Sequence, residues 1–226
     1  MSILNTDAII GRMRLPIHDP RSLRITPLLT GMEQIGSDAV DIRLGSHFLV
    51  PRSEKRGSFV PAETPGRDVA HRIHKPPGDV LVLPGKGVVL ASAYEYLKMP
   101  CDVAAQVLTR SSIGRIFVTT ATATLVHPSY RGCLTLEVVN SGNAPVELDI
   151  LSRIAQLQFV ESSPCPADVA DRVGGRYAAA TEPEFPDFDS DRDEYEMLRS
   201  FVPERRRRRT EKSVMRQVPM KPNPQH

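Results

Sequence analysis

The 226-residue sequence predicts an all-β sandwich or barrel with a short N-terminal helix. From residue 79 onward, short β-branched and apolar runs recur: VLVL, GVVLAS, VAAQVL, IFVTTATATLV, CLTLEVVN, PVELDI and RIAQLQFV. Turn residues separate them, with Pro84-Gly85 and Ser141-Gly142-Asn143 as the expected hairpin turns. Strands of this length and spacing argue against alternating βα units.

The elements follow in order. Residues 3–14 (ILNTDAIIGRMR) predict the short helix, with Asn5 or Thr6 as its N-cap. Pro16, Pro20 and Pro27 should then break regular structure until Ala39-Val40-Asp41-Ile42-Arg43-Leu44-Gly45. Residues 52–77 are polar, basic and proline-containing, and read as a long excursion or flap. The strand runs then continue to Phe159. Beyond it, residues 182–196 are dominated by Asp and Glu, and Arg205–Arg209 form an unbroken basic run. Such composition buries too little apolar surface to offset chain entropy. The expected organisation is one domain over 1–185 and a charged, disordered or loosely docked tail over 186–226.

Composition narrows the functional classes. A formal charge of +2 points to no particular partner, and the absence of Trp with only 5% aromatics disfavours a base-stacking platform. No run approaches the roughly 20 apolar residues of a membrane span, and no basic-then-apolar leader opens the chain. A cytoplasmic protein without membrane contact is therefore expected. Cys101, Cys133 and Cys165 are scattered and odd in number, so neither a disulfide framework nor a zinc ribbon is written here. They read as small buried hydrophobes.

The most informative stretch is Arg110-Ser111-Ser112-Ile113-Gly114-Arg115, set between two strand runs. Two guanidinium groups and two hydroxyls within six residues make a compact donor set for phosphate oxygens, and Gly114 permits close backbone approach. Alone, the motif is weak. It is followed by Thr122-Ala123, by His127-Pro128-Ser129-Tyr130-Arg131-Gly132, by Leu134-Thr135-Leu136-Glu137-Val138-Val139-Asn140-Ser141-Gly142, and by Arg153-Ile154-Ala155-Gln156-Leu157. Upstream stand the Val40–Gly45 run, Leu83-Pro84-Gly85, Glu95 and Met99-Pro100.

This ordered series, over roughly residues 5–185, resembles the dCTP deaminase branch of the trimeric dUTPase superfamily. The resemblance implies a distorted jelly-roll or β-barrel fold, a homotrimer, and sites built at subunit interfaces. It assigns triphosphate binding to Arg110, Ser111, Ser112 and Arg115, and deoxyribose packing to Tyr130. Ala123 would contribute backbone groups to cytosine recognition, while His127, Gln156 and Tyr177 would complete the substrate contacts. Mg²⁺ is implied as a cofactor carried by the triphosphate itself. Glu137, in a strand of apolar neighbours, is expected to be partly desolvated with a raised pKa. In the deaminases the matching Glu activates water for attack at cytosine C4, and Ser111 by analogy helps hold that water. No zinc is expected: Pro100-Cys101 and Pro164-Cys165 each lack the second Cys of P-C-x-x-C, and no His is followed two places on by Glu.

The series departs from the family at three points. His127 stands where both branches carry Asp, and an imidazole is a poorer acceptor for a water aimed at phosphorus. The Arg115-to-Thr122 interval is one residue short. Gly174–Pro183, including Tyr177, matches the C-terminal lid only loosely. The leading expectation is deamination of dCTP to dUTP and ammonia. The alternatives are hydrolysis or deamination of another deoxynucleotide, modified or monophosphate, and a non-catalytic deoxynucleotide-binding regulator. The Arg205–Arg209 run offers at most a weak nucleic-acid contact.

Overall fold

The computed structural model describes residues 2–52, 66–120, 125–164 and 179–185, with positions 193, 194, 197 and 201. Two compact units emerge, one of residues 1–50 with 72–184 and the other of 51–71 with 185–226. In the second, α2 (Gly66–Val69) is tied to Arg52, whose backbone N–H donates to the Val69 carbonyl.

The first unit carries the fold. Helix α1 spans Thr6–Arg14, and Asn5 caps it by accepting from the Ala8 N–H at 3.0 Å. The cap satisfies one of the donors orphaned at a helix start. The proline-containing stretch that follows is not irregular throughout. It holds β1 (Arg24–Thr26), which pairs with β5, and a 3₁₀ turn at Gly31–Gln34. The prolines bound these short elements rather than abolishing them.

The strands are β2 (Ala39–Pro51), β3 (Ala70–His74), β4 (Val80–Leu83), β5 (Val88–Lys98), β6 (Val103–Thr109), β7 (Val118–Thr120), β8 (Leu125–Val126), β9 (Arg131–Asn140), β10 (Val146–Asp149) and β11 (Arg153–Glu161). Among the described residues, nine strands join one sheet in the order β7-β9-β5-β2-β11-β6-β8, with β1 on β5 and β3 on β2; β4 and β10 make a separate pair. This all-β architecture with a short N-terminal helix is the predicted class.

Strand β2 bends the sheet. Residues 39–43 pair with β11, whereas 44–49 pair with β5, so one strand serves two ladders. Gly45 sits at the change of partner, where a Cβ would lie 2.4 Å from Ser92 Oγ and 2.7 Å from its carbonyl oxygen. Any side chain there would force the ladders apart. The sheet closes over Ile9, Val40, Ile42, Leu44, Phe48, Leu97, Leu136, Leu157 and Phe159, all essentially without solvent contact. Each such side chain contributes about 1.5–3 kcal/mol of burial.

Three further sequence expectations need correction. Pro84-Gly85 and Ser141-Gly142-Asn143 are not hairpin turns. They are corners at which the chain leaves the large sheet for the β4–β10 pair or returns from it. Turn chemistry reports a reversal but not which strands pair across it. The described part of IFVTTATATLV does not form one ladder either: Ile116 and Phe117 lie in an exposed turn, 118–120 form β7 on β9 and 125–126 form β8 on β6, while residues 121–124 lie outside the described residues. Cys101 and Cys133 are free but only half-buried, because Cys101 lies in the turn after β5 and Cys133 on the face of β9 opposite Leu134 and Leu136; Cys165 falls outside the described residues.

Asn140 holds the two corners together. Fully buried, its amide donates to the carbonyls of Leu83 (3.1 Å), Pro84 (3.1 Å) and Ala144 (2.8 Å), and its oxygen accepts from Gly142 N–H at 2.9 Å. Asn140→Ala strands these groups and should destabilise the protein by about 1–3 kcal/mol in chemical denaturation. A loss below about 0.5 kcal/mol would mean that the corners hold without the side chain.

Candidate active site

The Arg110–Arg115 segment, predicted from the sequence to offer hydrogen-bond donors to phosphate, forms the link between β6 and β7. Arg110 leads into a single helical turn, α3 (Ser111–Gly114), in which Ile113, Gly114 and Arg115 N–H groups donate back to the Arg110 and Ser111 carbonyls. The mouth of the loop is pinned. Thr109 Oγ1 donates to the Thr120 carbonyl and accepts from the Thr120 N–H, both at 2.9 Å, while Arg110 N–H donates to Ile154 O at 3.1 Å. Ser111, Ser112 and Arg115 are left exposed beyond this closure. The arrangement is a short donor turn on a fixed base.

Beneath it lies a carboxylate that sequence reading quoted but gave no role. Asp41, 8% exposed, receives Arg153 Nη1 at 3.0 Å, Gln156 Nε2 at 3.0 Å and the Arg110 Nε at 3.7 Å. Strand register explains part of this, since Asp41 is the cross-strand partner of Gln156. The Asp41 carbonyl accepts from Gln34 Nε2 at 2.8 Å, and the same amide donates to Glu95 Oε1 at 2.6 Å. Glu95 has no solvent contact, and its second oxygen accepts the Arg43 backbone N–H at 2.9 Å. That N–H lies where β2 changes partner, so the carboxylate completes a ladder that the strand switch interrupts. The only sequence signal for this layer was the presence of polar residues inside apolar strand runs.

The other predicted residues lie along β9. His127 is exposed in the corner before it, and its carbonyl accepts from Tyr130 N–H. Tyr130 packs against the core, and its hydroxyl donates to Cys133 O at 3.0 Å; burial raises its pKa. Gly132 has φ +142°, and a Cβ there would meet Tyr130 Oη at 2.9 Å and Ala180 O at 3.0 Å. That space admits the 179–184 segment: Ala179 N–H donates to Arg131 O, Cys133 N–H to Ala180 O, and Glu182 pairs with Arg72 at 2.6 Å. Glu137 is half-buried, on the face of β9 opposite Leu134, Leu136 and Val138. Among the described residues, its carboxylate has no partner. Ala123 and Tyr177 lie outside the described residues.

Within one chain the predicted residues therefore form separate groups. Arg110 and Gln156 meet at Asp41. Glu137 stands three residues from Asn140, the partner of Val118 where the donor loop ends, or about 10 Å of strand. Tyr130 is seven residues from Glu137 in the other direction, about 23 Å of extended chain.

Glu95 generates a pH prediction. Burial raises its pKa above the ordinary carboxylate value, although the Arg43 and Gln34 hydrogen bonds oppose the shift. The folded chain thus keeps a proton that the unfolded chain has released, and stability from this group falls with rising pH between the two pKa values. Against Glu95→Gln, the wild-type unfolding free energy should decline across that window and run parallel above it. A difference independent of pH would contradict the assignment.

The family model described as dCTP deaminase-like matches residues 7–162. A Natronomonas pharaonis protein named dCTP deaminase is 34% identical over 178 residues, covering 77% of this chain and 91% of that one. A Halobacterium salinarum protein named dCTP deaminase, dUMP-forming, is 36% identical over 163 residues, covering 69% and 81%. The crystal structure of 2′-deoxycytidine 5′-triphosphate deaminase from Agrobacterium tumefaciens matches at TM-score 0.52 and 25% identity, over 70% of this chain and 46% of that chain. The chain thus spans about half of that solved structure but most of the length of the curated relatives. With the family model matching well over half of its sequence, this protein belongs to the dCTP deaminase-like family.

Proposed function

We propose that the protein is a zinc-independent deaminase that converts dCTP to dUTP and ammonia. One observation carries the reading: Glu137 offers a half-buried carboxylate, without a partner among the described residues, on the strand that lies beside the return from the Arg110–Arg115 loop. Membership of a family whose relatives are named for dCTP deamination supports it. Glu137 takes a proton from water as the oxygen adds to cytosine C4 and passes it to N3; it then carries the proton of the new C4 hydroxyl to the amino group, so that the C4–N bond breaks, ammonia leaves and C4=O remains. Ser111 helps hold the water, while Arg110, Ser112 and Arg115 meet the triphosphate. Gln156 and Tyr130 contribute to substrate placement, with Ala123 and Tyr177 completing it. Mg²⁺ would arrive on phosphate oxygens, because Asp41, the carboxylate paired with Arg110, is already engaged by three side chains.

Release of dUTP rather than dUMP follows from His127. An exposed imidazole at that corner lacks the carboxylate that would aim water at the α-phosphate. Direct formation of dUMP is the second reading, favoured by the name of the Halobacterium relative. Glu137→Gln should lower turnover about 10²–10⁴-fold while keeping dCTP affinity, because an amide cannot accept the water's proton. Chromatography of the wild-type reaction should reveal free dUTP. Near-normal turnover by the variant would sink the mechanism, and dUMP without dUTP would overturn the product assignment.

Separation of the Tyr130, Glu137 and Arg110 groups along one chain supports sites shared between subunits in a homotrimer. Light scattering should return three times the chain mass. An active monomer would contradict this.

A further inference from the structure

The donor loop carries its charge in a particular way. Arg110 faces Asp41 with its Nε edge, at 3.7 Å. Among the described residues, nothing is bonded to its two terminal nitrogens. A guanidinium held by one edge presents the other as a fork for two phosphate oxygens. The same carboxylate takes the Gln156 amide nitrogen at 3.0 Å. Only the NH₂ end of an amide can face a carboxylate, so the Gln156 carbonyl is turned away from Asp41. Phosphate oxygens carry no proton to offer it. Gln156 is thereby prepared to accept from an O–H or N–H of the sugar or base, not to contact the phosphates. Arg153, on the second Asp41 oxygen at 3.0 Å, balances the charge, so that Arg110, Arg153 and Asp41 sum to a single positive charge. The backbone behind the carboxylate is held by Gln34, which also binds the buried Glu95.

We propose that Asp41 is the positioning residue of the nucleotide site, fixing Arg110 for phosphate and turning the Gln156 carbonyl toward a hydrogen-bond donor on the nucleoside. The proposal rests on the deaminase reading only for its choice of nucleotide. A purely structural ion pair would staple β2 to β11 and do nothing else. It would lower stability when broken and leave affinity alone.

The test compares the full-length wild type with Asp41→Asn, Asp41→Glu, Arg110→Gln and the Asp41→Asn/Arg110→Gln double variant. Steady-state dCTP kinetics, calorimetric binding of inorganic tripolyphosphate and thermal unfolding are measured for each. Asp41→Asn should raise KM for dCTP about tenfold or more, with kcat changed less than about threefold. Tripolyphosphate affinity should fall by a similar factor. Once Arg110 is gone, the Asp41 substitution should cost tripolyphosphate binding little more, because the two act as one unit. Asp41→Glu, which keeps the charge but moves it by one methylene, should fall between wild type and Asn. It also carries the test if Asp41→Asn does not fold. A lower unfolding temperature with unchanged KM and tripolyphosphate affinity would overturn the proposal, as would additive losses in the double variant. If the wild type binds tripolyphosphate but does not deaminate dCTP, the functional reading fails while the binding cycle still decides the role of Asp41.

Discussion

The structure depends on one strand serving two ladders. β2 pairs with β11 through residue 43 and with β5 from residue 44, so the two halves of the large sheet are joined through this one strand. Two physical conditions permit it. Gly45 removes the side chain that would collide with Ser92, and Glu95 supplies an acceptor for the Arg43 N–H at the interruption. An uncompensated buried N–H would cost about as much as any single core contact gains. A carboxylate with no solvent contact is an expensive acceptor, which is why its proton affinity rises. The cost is offset by having backbone and Gln34 donors in place.

The same change of partner creates the setting for the proposed chemistry. Asp41 lies two residues before Arg43, on the half of β2 that faces β11, and it meets Arg110, Arg153 and Gln156 there. Gln34 connects this carboxylate's backbone to Glu95. A polar layer thus runs from the fold's corner to the base of the donor loop, each member held by the next. The loop itself is held by the Thr109–Thr120 clasp, by the Arg110 N–H on Ile154 O, by the Ser141 N–H on Phe117 O and by its own helical turn.

β9 is organised by different means. Its inward residues, Leu134, Leu136 and Val138, fix its register by burial, since a one-residue slip would exchange them with Thr135, Glu137 and Val139. Burial therefore determines the face on which Glu137 appears. At the start of the strand, Gly132 accepts a backbone conformation and a closeness that no other residue tolerates, and the 179–184 segment docks there beside Tyr130.

By itself the sequence determined the fold class, the helix and its N-cap to within Asn5 or Thr6, most strand positions, and the family through an ordered series of motifs. These follow from local chemistry: side-chain alternation, capping and turn preference act between residues close in the chain. It misassigned the partners of the 84–85 and 141–143 turns, because a turn encodes a change of direction and not the strand it leads to. It quoted Asp41 and Glu95 without giving either a role. Their roles arise from contacts with residues up to 115 positions away, such as the Gln156 amide on Asp41. Only the folded sheet brings those groups together, so only the tertiary structure decided that one buried carboxylate would meet two arginines and an amide.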